Sequence, residues 1–193
     1  DPFSLHIDDV IILNSEVNII DYNRENPEMF TINDLNLDLN NINVVGGDIS
    51  INVNSLSGIT GYGLKIKRLQ TKFFMTSDEM RLDKLKLITP YSDIKTNLKF
   101  NYEQGDWLDF ENKVIISANF NDAIISTTDL KQFYSEFGYS ERLRLTGELN
   151  GTLNNFKLNS ANISGIQRSE IKGDLNFYNI TSAKKFTLDT RDI

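Results

Sequence analysis

The chain contains no cysteine and a single histidine among its 193 residues. Disulfides and thiolate metal sites are thereby excluded, a histidine-built zinc cluster cannot be assembled, and imidazole acid–base chemistry would rest on His6 alone. Basic charge is also short. Lys and Arg number 20 against 27 Asp and Glu, leaving a net charge of −7, and they nowhere form a run. That argues against nucleic acid as a partner, because phosphate neutralisation needs clustered cations. No apolar stretch approaches the roughly 18 residues of a membrane-crossing helix, and no signal-peptide pattern lies near Asp1. The chain starts without Met and stops at Ile193 in mid-pattern, so it reads as one segment, 1–193 without internal boundary, of a longer protein.

Apolar and polar residues alternate from end to end, the period of strands with one face buried and one in water. Ile49, Ile51 and Val53 share a face; so do Leu64 and Ile66, then Leu98, Phe100 and Tyr102, then Val114, Ile116, Ala118 and Phe120. Leu143, Leu145, Gly147, Leu149, Gly151 and Leu153 continue the pattern, followed by Ile171, Gly173, Leu175 and Phe177. Turn chemistry separates the runs at Gly46-Gly47, Ser57-Gly58, Thr76-Ser77-Asp78, Thr89-Pro90, Gln104-Gly105-Asp106 and Asn121-Asp122. Roughly a dozen strands are expected.

Four segments share a weak repeat in which two alternating apolar positions are followed by a two-residue slip and two more. They are Leu5, Ile7, Val10 and Ile12; Phe30, Ile32, Leu35 and Leu37; Met80, Leu82, Leu85 and Leu87; and Phe156, Leu158, Ala161 and Ile163. An unrelieved slip would throw half of each strand onto the wrong face, so each needs a bulge or a sharp bend. The bends fit either a curling sheet or the corners of a closed sandwich. One short helix is expected at 128–137, where Leu130, Phe133 and Phe137 recur at helical spacing, capped by Thr127 or Thr128 and ended by Gly138.

No catalytic set can be assembled. Asp8 and Asp9 point to opposite faces of a strand and cannot converge on one atom, although His6 shares the face of Asp8. Gly46-Gly47-Asp48 occurs once and reads as a turn, not a calcium repeat. No phosphate loop or hydrolase elbow is present, and no cofactor is implied. Tyr102, Trp107 and Phe110 around the Gly105 turn suit either the closing of a core end or a stacking surface for a sugar or membrane interface.

Four stretches in order, SGITGYGLKIKRL (57–69), LKLITPYSDI (85–94), STTDLKQF (126–133) and LTGELNGTLNNFKL (145–158), followed by SEIKGDL from Ser169, resemble the periplasmic β-rich region of TamB-like proteins of Bacteroidota. These belong to the AsmA-like superfamily and are translocation and assembly module subunits. The resemblance spans most of residues 30–180. It implies an all-β fold: a long, curved, mostly antiparallel sheet folded into a U-shaped groove, a β-taco. It further implies a bridge across the periplasm that carries phospholipid toward the outer membrane and supports outer-membrane biogenesis. An inner-membrane anchor and the contacts to an Omp85-type (TamA-like) protein would lie outside this chain. On that reading phospholipid acyl chains run along a groove lined by Leu35, Leu37, Ile49, Ile51, Leu64, Ile66, Leu85, Leu87, Leu98, Phe100, Ile116, Phe120, Leu143, Leu145, Leu149, Leu175 and Phe177. Leu130, Phe133 and Phe137 would form a cap helix over it. The competing reading is a closed β-sandwich serving as an adhesion or carbohydrate-binding module.

Overall fold

A computed structural model describes residues 2–22, 28–132, 140–166, 169–180, 182, 185 and 187–191. Eleven strands form one open sheet in strict sequence order, each antiparallel to its neighbours. They are β1 (Ser4–Asp21), β2 (Glu28–Val45), β3 (Asp48–Thr60), β4 (Lys65–Met75), β5 (Glu79–Ile88), β6 (Asp93–Asn101), β7 (Ile115–Ser126), β8 (Arg142–Gly151), β9 (Asn155–Ile166), β10 (Ser169–Tyr178) and β11 (Thr187–Arg191). The two-sheet sandwich is therefore not the architecture, because every strand belongs to the same sheet and the sheet does not close.

The expected slips are bulges. Asp34, Lys84 and Ser160 each occupy the second skipped position of a slip and take left-handed φ values of 53°, 53° and 49°. In β1 the slip after Ile7 is met from across the ladder, where Asn41 of β2 turns left-handed at 50° between the pairs Ile7–Ile42 and Asp9–Asn40. A left-handed residue turns its amide out of the ladder, and neighbouring strands supply the missing acceptor. The Lys84 N–H donates to Asn97 Oδ1 at 2.7 Å, that of Ser160 to Asp174 Oδ1 at 2.8 Å, and that of Asp122 to Thr146 Oγ1 at 3.3 Å. This accounts for much of the Asn, Asp and Thr in the chain: short side chains tolerate the bulge conformation or satisfy its amide.

Followed through the strand pairings, these irregularities form a seam. It crosses β1 at 8–9, β2 at Asn41, β5 at Lys84, β7 at Asp122, β8 at Gly147, β9 at Ser160 and β10 near Asp174. Several of the best-buried apolar residues flank it on the apolar face: Leu85, Ala123 and Ala161 on one side, Ala118, Leu158 and Leu175 on the other. The sheet is thus creased lengthwise and folds toward its apolar face, as a trough. A second, shorter seam at Asn14 and Asp34 crosses the two longest strands.

Two dipeptides read as turns lie inside strands. Asn121-Asp122 is the β7 bulge, since the same tolerance of positive φ that makes Asn and Asp turn-formers serves a bulge equally well. Ser57-Gly58 lies in β3, where a Cβ on Gly58 would stand 2.7 Å from Ile32 Cγ2, so glycine is there for close packing.

Lys84 offers a direct check of the crease. A long-chain residue in the left-handed region costs about 1–2 kcal/mol relative to its relaxed state. Lys84→Gly is expected to leave stability unchanged or raise it by about 1 kcal/mol, whereas Lys84→Val should lower it by about 2 kcal/mol because β-branching sharpens the clash. Urea unfolding of the three proteins gives both values.

Candidate functional site

The apolar face is ordered as rows that run across the strands. One row takes a single residue from every strand: Leu5, Val44, Ile49, Met75, Met80, Phe100, Ile116, Gly151, Phe156, Phe177 and Leu188, each paired directly with the next. A second row, beside the seam, runs Ile51, Phe73, Leu82, Leu98, Ala118, Leu149, Leu158 and Leu175. Beyond the seam a third runs Ile12, Leu37, Leu56, Leu69, Leu87 and Ile94, and on that arm Ala123, Leu145, Ile163 and Ile171 pair in the same way. Of the seventeen lining residues expected from sequence, sixteen lie in strands and eleven of those fall in these rows; Leu35 and Leu85 instead pair with Ser15 and Thr96. Leu64 lies just before β4, its carbonyl accepting from the Thr60 N–H at 3.0 Å.

At ~4.8 Å per strand, ten inter-strand steps give a trough about 48 Å long. The ~30 Å hydrocarbon core of a bilayer is two chains deep, so a single acyl chain laid lengthwise fits within it. Among the described residues no second layer covers the rows. Leu158, Ala161 and Leu175 make one compact cluster at the seam, with Leu145, Leu149, Ile163, Ile171 and Phe177 packed around it, while most other row residues stay half-exposed. Total accessible surface is 12283 Å². A compact monomer of 22.1 kDa would expose about 9,300 Å². The excess is what an uncovered sheet face produces.

The hairpin connections form the two rims. On one rim a 3-10 turn (Asp106–Asp109) runs into helix α1 (Phe110–Lys113), which alternation in the sequence did not reveal. Here Trp107 packs against Tyr102 at 4.9 Å and stacks on Phe110 at 5.6 Å and 20°, while Phe110 meets Phe100 at 6.1 Å. Tyr102 is buried, its hydroxyl donating to the Thr76 and Glu79 carbonyls at 2.9 and 3.2 Å, and burial pushes its pKa up. These aromatics close the rim over Phe100.

On the opposite rim stands α2 (Thr127–Leu130). It begins at Thr127, one residue ahead of the expected start, and ends at Leu130, with Lys131 and Gln132 in a turn where the helix was expected to continue; Ser126 is the cap, its Oγ accepting the Thr128 N–H at 3.2 Å. Leu130 is half-buried there; Phe133, Phe137 and Gly138 lie outside the described residues. What the sequence reading missed is the anchor. One oxygen of Asp129 accepts hydrogen bonds from Thr89 Oγ1 and Ser92 Oγ, both at 2.5 Å, and Ser92 Oγ in turn accepts the Ser126 N–H at 2.9 Å. Thr89, Ser92, Ser126 and Thr127 are all buried. The clasp joins two of the stretches that carried the family resemblance, TPYS and STTD, across 37–40 residues of sequence.

The polar face carries ion pairs such as Glu79 with Arg81 at 3.0 Å and Lys99 at 2.5 Å, and Arg144 with Asp122. The Arg144–Asp122 pair is exposed and contributes little to stability, while Glu79, Arg81 and Lys99 are half-buried. The Lys172 ammonium beside Glu170 holds that carboxyl below its usual value. Two shallow concavities of about 400 and 230 Å³ also open on this face, the larger bordered by Arg81, Asp83, Asn97, Lys99, Asn119 and Glu148.

His6 lies near the start of β1, with Nδ1 2.6 Å from Asn43 Oδ1 and Nε2 2.9 Å from Asp8 Oδ1. Both ring nitrogens face acceptors, which favours the doubly protonated ring; the Asn43 bond first and the Asp8 bond second raise its pKa above the ordinary value. A raised folded-state pKa contributes stability below the unfolded pKa and loses it as pH rises through the folded one. NMR titration of His6 is therefore expected to give a pKa above 6.5 that falls back in Asn43→Ala.

Among the described residues no group of three or more His, Asp or Glu is arranged to hold a metal ion, and no helix is long and apolar enough to cross a membrane. No family model, curated protein or solved structure matches the chain.

Proposed function

We propose that this chain is a segment of a bridge-like lipid carrier of the TamB-like kind, whose apolar trough conducts phospholipid acyl chains across the periplasm in support of outer-membrane biogenesis. It acts as a non-enzymatic conduit, with membrane anchor and outer-membrane partner contacts provided by other parts of the protein. The observation that carries the reading is the set of apolar rows, continuous along the sheet and left uncovered by any described residue. Each methylene moved out of water contributes about 0.8 kcal/mol, so a chain resting in the trough is held by many small, equivalent contacts. Because that attraction is non-directional, a lipid can advance from strand to strand without leaving a specific site. Headgroups stay in water at the opening between the rims. The adhesion or carbohydrate-module reading rested on a closed sandwich, which the single open sheet does not provide.

Mass spectrometry of protein extracted without detergent tests the proposal. Co-purifying phospholipid, absent from a control β protein treated alike, is the expected result. A lipid-free preparation would count against carriage and leave the trough a structural spacer.

A further inference from the structure

The cations of this acidic chain are scattered in sequence and gathered by strand pairing. Residues 65–101 hold nine Lys or Arg against four Asp or Glu, a surplus of five positive charges in a chain of net charge −7. Six of the nine fall on one arm of three adjacent strands, between the seam at Lys84 and the rim that carries α2. They are Lys65, Lys67 and Arg68 in β4, Lys84 and Lys86 in β5, and Lys95 in β6. Arg68, Lys86 and Lys95 alternate with Leu69, Leu87 and Ile94 of the apolar row and so stand on the polar face, where Lys86 is directly opposite Lys95. Like charges so placed are destabilising, yet none of the six forms an ion pair with a described residue. The one acid in these stretches is Asp93, half-buried and two residues from Lys95 on the same face. Carboxylates nearby are engaged elsewhere: Asp122 with Arg144, Asp129 in the clasp, Glu79 with Arg81 and Lys99, while Asp83 is opposite Lys72. β3, on the other side, has no charged residue after Asp48. In the turns at this end, Tyr62 and Tyr91 are 58% and 48% exposed.

We propose that this basic arm is a docking surface for an anionic phospholipid bilayer, with headgroup phosphates set among Arg68, Lys86 and Lys95 and the two tyrosines at headgroup depth. Cations beside an anionic leaflet and amphipathic rings at its polar boundary are the combination a membrane surface favours. The cations are spread over three strands, about 10 Å of sheet, instead of converging on one point, which suits a surface better than a single small anion. The acidic remainder of the chain does not cancel the attraction, because charges more than about 8–10 Å away are largely screened at physiological salt. An acidic polypeptide would meet the same cations. Choosing a bilayer over it rests on the reading of the chain as a lipid carrier, which must come to lipid to load.

The test is co-sedimentation of the whole chain with phosphatidylcholine vesicles that contain or lack phosphatidylglycerol. Vesicles with phosphatidylglycerol should bind on the order of a hundredfold more tightly, and the difference should shrink as salt rises. Lys67→Glu with Arg68→Glu, both exposed and the fold checked by circular dichroism, should abolish the preference. Lys113→Glu with Lys157→Glu makes the same change in net charge at exposed positions outside the arm and should retain it. Lys95→Gln, which relieves the repulsion with Lys86 and so spares the fold, should weaken it about fivefold. Equal binding to both vesicles, or equal loss in the two double variants, would overturn the proposal. So would binding of poly-glutamate without binding of phosphatidylglycerol vesicles, since the partner would then be an acidic polypeptide. Vesicle binding by a chain that never co-purifies with phospholipid would instead sink lipid carriage and leave this surface standing.

Discussion

Gly151→Ala is expected to cost about 3 kcal/mol or more, a large share of the roughly 5–15 kcal/mol by which a domain of ordinary stability is folded. Gly151 ends β8 within the row that crosses all eleven strands, at a φ of +141°. An added Cβ would stand 2.4 Å from the Asn155 carbonyl oxygen and 2.6 Å from Phe156 Cα. Both are backbone atoms that no rotamer change can move. Strain and collision therefore add, and relief would mean separating β8 from β9, where the stacked pair Phe156–Phe177 at 4.7 Å is seated. Gly105 separates the two contributions: its φ is +90°, but nothing lies within 4 Å of its Cβ position. Gly105→Ala should therefore show the conformational cost alone, about 1–2 kcal/mol. Urea denaturation of both variants makes the comparison; equal costs would mean that β8 and β9 can part without penalty.

Leu98→Asp is expected to lower bound phospholipid at least tenfold while the sheet still forms. Leu98 sits in the row beside the seam, paired with Leu82 and Ala118, and is half-exposed to the trough. An acyl chain passing there would have to strip water from a carboxylate with no cation in the apolar row to receive it, a cost of several kcal/mol that cancels the gain from several methylenes. Leu98→Ala removes apolar area without adding charge and should reduce lipid only slightly. Lys99→Asp changes charge on the opposite face and should leave lipid unchanged. Quantitative mass spectrometry of the three variants, each checked for folding, gives the ordering.

The sequence made the apolar face legible because the strand period is local: each run of alternating Leu, Ile and Phe announces which side is greasy without reference to any partner. The two-residue slips were legible for the same reason, and they fall where Asp34, Lys84 and Ser160 turn left-handed. Their alignment into one seam was not, since it depends on register between strands, and register is written in pairs such as Phe120–Gly147 and not in any single run. Asn121-Asp122 misled because Asp accepts positive φ in a bulge as readily as in a turn. The Asp129 clasp was hidden by sequence distance: its donors lie 37 and 40 residues away, and Ser-Thr-Thr-Asp reads locally as an ordinary helix start. The turn and helix at 106–113 are too short to establish a helical period. The candidate site was thus visible as a list of residues, while its shape, an open trough with clasped rims, required the pairings.

The central claim is that lipid is carried on one face of this sheet, and the most direct test uses the period of the strand itself. A photo-crosslinking side chain placed in turn at each position from Asn97 to Asn101 and from Ile115 to Phe120, in cells labelled with radioactive phosphate, reads which positions touch lipid. The account predicts crosslinks at Leu98, Phe100, Ile116, Ala118 and Phe120, with none above background at Asn97, Lys99, Asn101, Ile115, Ser117 and Asn119. Crosslinks of equal strength at odd and even positions, or at none, would contradict it.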